Sequence, residues 1–166
     1  PSQSLAAAAA QARAAGIEVR LLGDALEGEA RDLAQSHAVL AMEVAQHALT
    51  RPVLLLSGGE CTVTRRGNGV GGPNAEYALA AAIVLQGHPR IHMIACDTDG
   101  VDGAAEVAGA CIGPETLRRA MEQKRTASDA LVNNDAHGFF GAIGGQVVTG
   151  PTLTNINDFR AILIMP

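Results

Sequence analysis

Three aspartates lie within six residues in the segment CDTDGVDG, residues 96–103, directly after the apolar stretch IHMIA. Carboxylates this close together indicate either a cation site or a strongly hydrogen-bonded turn. An EF-hand is excluded, because with Asp97 in the first position the sixth is Asp102 instead of glycine and the twelfth is Ala108. Magnesium needs only one or two carboxylates. The segment therefore predicts a Mg²⁺ site with ligands among Asp97, Asp99 and Asp102, two of which would be enough; a structural turn is the alternative.

A glycine loop is the second feature that could do chemistry. GNGVGG, residues 67–72, matches G-x-G-x-x-G between a predicted strand and a predicted helix. Backbone N–H groups in such a loop and at a helix N-terminus favour an anion, so Gly69, Gly71 and Gly72 are predicted to bind phosphate or carboxylate. A dinucleotide site is the alternative. A Walker A site is excluded, because Pro73 stands where that motif has lysine.

Polar residues also follow two other predicted strands. Glu60 ends the apolar run in VLLLSGGE, and the loop TGPTLTNIND, residues 149–158, carries three threonines and two asparagines between two strands. Open α/β sheets place their ligands at the carboxyl ends of strands, so we expect these groups to share one edge with the aspartates. Ordinary turn chemistry remains the alternative for the loop.

The composition limits the class of protein. The 166 residues are 48% hydrophobic with a net charge of -5 and an isoelectric point near 5.4, and they include one tyrosine and three phenylalanines. This excludes a basic, aromatic surface for nucleic acid, and no apolar run is long enough for a membrane span. Three cysteines without a C-x-x-C pair predict reduced thiols and a cytoplasmic location. The five histidines lack the spacing of a zinc site.

Strands and helices alternate along the chain, which predicts an α/β fold. Helices are expected from Ser4 to Ala15, from Gly28 to Pro52, over AEYALAAAIVLQ and through most of residues 104–143; strands are expected at IEVRLL, VLLLS, CTVT, IHMIAC, VVT and FRAILI. We expect a three-layer sandwich with a mixed, mainly parallel sheet. Residues 1–50 are predicted to be the tail of a larger N-terminal α/β domain, and residues 51–166 a C-terminal α/β domain.

Several segments in a fixed order resemble the C-terminal MOFRL domain of the glycerate 2-kinase family, whose members are often labelled hydroxypyruvate reductases. The segments are SGGE, GNGVGGPNAEYALA, ACDTDGVDG and TGPTLTNINDFRAILI, and the resemblance runs from about Pro52 to the end. LEGEARDLAQSHA is similar to the last part of the family's larger N-terminal domain. Many members carry Arg-Asn-Gln-Glu where this chain has Pro73-Asn74-Ala75-Glu76. Asn74 and Glu76 match, whereas the arginine does not.

The resemblance implies phosphorylation of glycerate by ATP, with Mg²⁺ or another divalent cation, in a cleft between two domains. It also implies that most of the first domain lies outside this chain, that the chain alone is nearly inactive, and that its uncovered interface allows self-association. An NAD(P)H-dependent hydroxypyruvate reductase and a non-catalytic docking module are the alternatives. The implied catalytic residues are Asp97, Asp99, Glu60 and Asn74; the implied substrate or phosphate contacts are Gly69, Gly71, Gly72, Glu76, Thr149, Thr152 and Asn155.

Overall fold

The computed structural model describes residues 2–166 and contains six helices and six strands. The strands form one mixed sheet, and helices pack on both of its faces. The strands are β1 (Glu18–Glu29), β2 (Val53–Thr62), β3 (Ile91–Asp97), β4 (Gly109–Ile112), β5 (Gln146–Val147) and β6 (Asp158–Ile164). The helices are α1 (Ser2–Ala14), α2 (Ala30–Ala45), α3 (Pro73–Leu85), α4 (Thr116–Glu122), α5 (Ala127–Val132) and α6 (Ala136–Ile143). The α/β class and the mixed sheet are confirmed.

The prediction of a mainly parallel sheet is wrong. The strand order is β1-β2-β6-β3-β4-β5, and among the described strands β1 and β2 form the one parallel pair. The sheet is mostly antiparallel because the last strand, β6, inserts between two strands that run the same way. β2 and β3 point the same way, as a crossover through α3 requires, but β6 lies between them and is antiparallel to both.

A second difference concerns residues 104–143, which were expected to be mainly helical. β4 lies within this range and pairs with β3, and the helices begin only at Thr116. A four-residue apolar run such as GACI has no periodicity that separates a strand from a helix, so the pairing with β3 decides its conformation.

The alternation of side chains along the strands defines the layers. Val53 and Leu55 of β2 and Ile162 and Ile164 of β6 face the large core under α2 and α3. Leu56 faces the other side, where Leu5 and Ala9 of α1 cover it. The three-layer arrangement is therefore confirmed, with a single helix, α1, on one face.

Small residues let α2 approach its neighbours closely. Its buried positions recur every three or four residues, which places them on one helix face; they include Ala30, Ala34, Ala38, Ala41 and Ala45. This face packs against α3, while β1 extends the sheet beside β2. Residues 18–45 thus share a sheet and a core with the rest, and the assignment of residues 1–50 to another domain stays a prediction. No helix among residues 2–166 is both long and apolar enough to cross a membrane.

Candidate functional site at the sheet edge

One edge of the sheet collects the polar residues that follow β2 and β3. Because both strands are antiparallel to β6, their carboxyl ends lie beside its first residue, and Gly59, Asp158 and Asp97 stand in register. Glu60 is the next residue of β2 and is exposed. We call residues 59–60, 97–103 and 149–158 the rim.

The two longer rim loops contact one another directly. The backbone N–H of Thr152 donates to the carbonyl oxygen of Asp99 at 3.1 Å, and the Thr152 hydroxyl donates to the carbonyl oxygen of Thr98. Thr149 and Asn155 are exposed on the same loop, where the Thr149 hydroxyl donates to Gly150 and the Asn155 amide oxygen accepts from Asn157. Three of the expected site segments therefore meet at one edge.

Asp97 is the carboxylate best placed for chemistry. It is half-buried at the end of β3, and its Oδ1 accepts the N–H of Asp99 at 3.0 Å. Burial raises the pKa of Asp97, the negative charges of Asp99 and Asp158 raise it further, and the Asp99 N–H opposes them. Asp99 makes the same kind of contact in the next turn, where its Oδ1 accepts the N–H of Val101 at 2.7 Å.

Asp102 points away from the other two aspartates and caps α3. Its Oδ1 accepts the backbone N–H of Asn74 at 2.9 Å, and its Oδ2 accepts the N–H of Ala75 at 2.8 Å. His137 Nε2 lies 3.1 Å from Oδ2. An internal carboxylate thus occupies the helix N-terminus where an external anion was expected.

The three aspartates consequently do not fit a shared Mg²⁺ site, because Asp102 is buried and its oxygens are taken. Among residues 2–166, no group of three or more His, Cys, Asp or Glu side chains is arranged to hold a metal ion. For Asp102, the alternative of a structural, hydrogen-bonded carboxylate describes the geometry better than a metal ligand.

Asn74 and the last rim residue, Asp158, belong to a buried polar network. Asn74 Nδ2 donates to Asp158 Oδ1 at 2.6 Å and to Asp102 Oδ1 at 3.3 Å, so it joins the two carboxylates. Asp158 Oδ2 accepts the backbone N–H of Cys61 at 3.0 Å and pairs with the Arg160 guanidinium. Asn74 therefore holds other groups in place and does not line an open surface.

Arg160 is the participant that sequence reasoning missed. It is 1% exposed and lies 5.3 Å from the centre of the Tyr77 ring, with an N–H donated to Cys61 Sγ at 3.0 Å. The signal was present in DFRAILI, where strand alternation places Asp158 and Arg160 on the same face as Ile162. Two opposite charges at consecutive inward positions predict a buried ion pair.

The network ends at a neutral histidine. Tyr77 forms a 2.8 Å hydrogen bond with His37 Nδ1. Burial, and then the charge of Arg160, lower the pKa of His37 to about 4. At neutral pH this imidazole carries no charge that could attract an anionic ligand.

The glycine loop is closed by a neighbouring segment instead of a ligand. The N–H groups of residues 66 and 67 donate to Asn134 Oδ1 at 2.7 and 2.9 Å, and those of residues 68 and 69 donate to Asn133. The N–H of Val70 donates to Asp135 Oδ1 at 3.2 Å. Gly72 is required because a Cβ there would lie 2.4 Å from Asp102. Residues 66–70 thus offer no free amide cradle to a phosphate.

Glu76 belongs to the same internal network. Its Oε1 accepts from Arg31 Nη2 at 2.6 Å and its Oε2 accepts from Asn134 Nδ2 at 2.9 Å. The side chain is fully buried. The predicted substrate contact at Glu76 is therefore occupied by protein groups that join α2 and α3 to the segment after α5.

Asn134→Asp tests the contacts by which Asn134 holds the glycine loop and Glu76. The new carboxylate oxygen would face Glu76 Oε2 in place of an N–H donor, so we expect the free energy of unfolding to fall by about 2 to 4 kcal/mol in urea denaturation. Asn133→Asp is the matched control, because Asn133 is exposed and, within residues 2–166, its side chain bonds only the N–H of Asn68; about 0.5 kcal/mol or less is expected there. Equal losses in the two variants would contradict the assigned contacts.

The fold and the rim define an α/β protein with a polar, mainly acidic site at the carboxyl ends of two strands. The MOFRL family model matches residues 53–158. The chain belongs to the MOFRL family.

Three comparisons place the chain among longer proteins. It is 46% identical over 168 residues to a "Putative hydroxypyruvate reductase" from Agrobacterium vitis, covering 99% of this chain and 38% of the relative. It is 34% identical over 156 residues to a D-glycerate 2-kinase from Thermotoga maritima, covering 93% and 37%. The crystal structure of a glycerate kinase from Thermotoga maritima superposes with a TM-score of 0.87 and 33% identity, over 93% of this chain and 38% of that one. The chain therefore spans less than half the length of these relatives.

Proposed function

We propose that this chain forms part of the active site of a glycerate kinase-like enzyme, which transfers the γ-phosphoryl group of ATP to D-glycerate and gives 2-phosphoglycerate. Membership in the MOFRL family and the names of the similar proteins support the class of reaction. The observation that carries the proposal is the position of Asp97 at the end of β3, on the rim. Within residues 2–166, its half-buried carboxylate accepts a single hydrogen bond, from the N–H of Asp99, and burial raises its pKa.

In the proposed reaction the substrate hydroxyl oxygen forms a bond to the γ-phosphorus, and the bond from that phosphorus to the bridging oxygen breaks, which releases ADP. Asp97 accepts the hydroxyl proton. Its raised pKa makes it a better proton acceptor than an ordinary carboxylate. Thr149, Thr152 and Asn155 bind polar groups of the substrates, and Glu60 and Asp99 bound the site.

A second lobe is part of the proposal. Phosphoryl transfer requires positive charge around the phosphates, whereas the rim residues include no lysine or arginine. We therefore propose that another lobe closes over the rim and supplies cationic groups, and that this chain alone turns over little substrate. Mg²⁺ bound with ATP stays a prediction. The oxygens of Asp102 are taken by α3, so Asp97 and Asp99 are the residues that would hold the cation. A cytoplasmic location likewise stays a prediction.

The reductase alternative receives less support from the geometry. A dinucleotide pyrophosphate needs free amides in a glycine loop and at the following helix N-terminus. Here the amides of residues 66–70 donate to residues 133–135, and the backbone amides of Asn74 and Ala75 donate to Asp102. NADH oxidation by hydroxypyruvate without ADP formation from ATP and D-glycerate would favour the reductase.

Asp97→Asn tests the proposed role of Asp97. We expect D-glycerate to shift the amide NMR signals of rim residues 97–103 and 149–157, and the variant to bind about 10-fold or more weakly, since a hydrogen bond to a charged group is lost. Asp129→Asn is the matched control, because Asp129 is exposed on α5 away from the rim, and its affinity should equal that of the unmodified chain. Absence of rim shifts at saturating D-glycerate, or equal affinities of the two variants, would contradict the proposal.

A further inference from the structure

Thr98 lies between the first two aspartates of the rim and bonds to the facing loop. Its hydroxyl accepts the backbone N–H of Ile156 at 2.9 Å and donates to the carbonyl oxygen of Asn157 at 3.0 Å. Its own backbone N–H donates to the same Asn157 carbonyl at 3.3 Å. The Thr98 carbonyl oxygen accepts from the Thr152 hydroxyl. One half-buried residue thus contacts both ends of the segment 152–157.

The remaining contacts between the two loops come from the backbone. The carboxylates of Asp97 and Asp99 accept N–H groups of their own loop, and a Cβ at Gly100 would lie 2.2 Å from the carbonyl oxygen of Gly150. The Thr98 hydroxyl is therefore a contact that a single substitution can remove without altering a glycine or a carboxylate.

The segment that Thr98 holds has unusual backbone conformations. Leu153 and Asn157 have φ values of 59° and 65°, in the left-handed region that favours glycine. Such conformations cost free energy and persist where neighbouring contacts fix them. At Asn157 the fixing contacts are the two groups of Thr98 that donate to its carbonyl oxygen. Without the hydroxyl we expect residues 156–157 to populate other conformations.

A small substrate requires this segment to keep its distance from Asp97. D-glycerate carries all its polar groups on a three-carbon chain, so the groups that contact Asp97 and the loop lie close together. Under the proposed function Asp97 accepts the proton of the reacting hydroxyl, and Thr149 and Asn155 bind other polar groups. A displacement of the loop by about 1 Å is enough to misalign such a pair of contacts.

We propose that Thr98 is a positioning residue, whose hydroxyl holds the loop of residues 149–157 at the distance from Asp97 at which both contact one molecule of D-glycerate. Thr98 acts through the loop and needs no contact with the substrate. The loop is then ordered before D-glycerate binds, so its ordering does not reduce the affinity. This inference rests on the proposed function, because it assigns D-glycerate to the rim.

Thr98→Val and Thr98→Ser test the proposal, since valine lacks the hydroxyl whereas serine keeps it. In Thr98→Val we expect amide hydrogen exchange at Ile156 to be about 3- to 10-fold faster, because its N–H loses its acceptor. D-glycerate, followed by amide NMR shifts, should bind Thr98→Val about 3- to 10-fold more weakly, because the fraction of chains with the loop in place falls by that factor. Thr98→Ser should restore most of both quantities.

Thr116→Val is the matched control for the loss of a threonine hydroxyl. The Thr116 hydroxyl accepts the backbone N–H of Gly113 at 2.9 Å, and the residue is buried at the start of α4. Gly113 follows the end of β4, which lies beside the start of β3 and so at the sheet edge opposite the rim. Thr116→Val should lose stability in urea denaturation and still bind D-glycerate like the unmodified chain. A merely structural role of Thr98 would leave its affinity equally unchanged.

Two results would overturn the proposal and leave the proposed function intact. Equal exchange rates of Ile156 in Thr98→Val and in the unmodified chain would show that the hydroxyl does not hold the loop. Faster exchange in Thr98→Val with the D-glycerate affinity of Thr98→Ser would make Thr98 a structural residue only. If D-glycerate does not bind the unmodified chain, the proposed function fails and this inference falls with it, whatever the exchange rates are.

Discussion

Replacing Asp158 by alanine is expected to lower the free energy of unfolding by about 3 to 5 kcal/mol, the largest effect we predict for a single side chain. Asp158 is buried and is the carboxylate that pairs with Arg160, itself 1% exposed. Without it the guanidinium keeps its charge in the core, the N–H of Cys61 loses its acceptor, and Asn74 Nδ2 keeps only its 3.3 Å contact with Asp102. Urea denaturation with unchanged slope would measure the loss.

Two further variants separate charge burial from simple loss of contacts. Glu18→Ala removes a partly exposed partner of Arg20 and Arg51, and we expect a loss of about 1 kcal/mol or less. Combining Asp158→Ala with Arg160→Met should recover part of the stability, because no unpaired charge remains in the core. If the double variant is less stable than Asp158→Ala, the buried pair is not what makes Asp158 important.

Asp102→Ala is expected to cost about 2 to 4 kcal/mol, because it removes the carboxylate that accepts two N–H groups of the first turn of α3 and faces His137. Asp99→Ala is the matched control from the same loop. Its carboxylate accepts the N–H of Val101 alone among the described contacts, so about 0.5 to 1 kcal/mol is expected.

This pair of variants also discriminates between a structural and a metal-binding role. A shared Mg²⁺ site would make the stability of the unmodified chain rise with Mg²⁺ and would make both substitutions abolish that rise. A capping role leaves the difference between the variants independent of Mg²⁺. Thermal unfolding with and without Mg²⁺ measures both quantities, and equal destabilisation of the two variants would contradict the capping role of Asp102.

Much of the rim could be predicted because it depends on local patterns. Apolar runs followed by Glu60 and Asp97 mark strand ends, and strands of one crossover unit end at the same edge. The threonine-rich loop before FRAILI carries its own polar groups wherever that strand is placed. The prediction of a mainly parallel sheet was wrong, but it did not affect these features, because β6 begins at the edge where β2 and β3 end.

The glycine loop shows where local patterns were insufficient. GNGVGG has the composition of an anion-binding loop, but whether its amides are free depends on Asn133, Asn134 and Asp135, which lie more than 60 residues further along the chain. The roles of Asp102 and Glu76 depend in the same way on distant partners, α3 for the first and Arg31 for the second.

The sequence by itself determined the α/β class, the MOFRL resemblance and the presence of acidic and hydroxyl groups at strand ends, because periodicity and residue type act over a few neighbouring positions. The tertiary structure alone decided which of those groups stay open on the rim and which become internal partners. The physical reason is that a buried carboxylate or amide must be paired, and the partner is chosen by the packing of segments far apart in the chain. Asp97 remained open, whereas Asp102, Asp158 and Glu76 were taken into the core network.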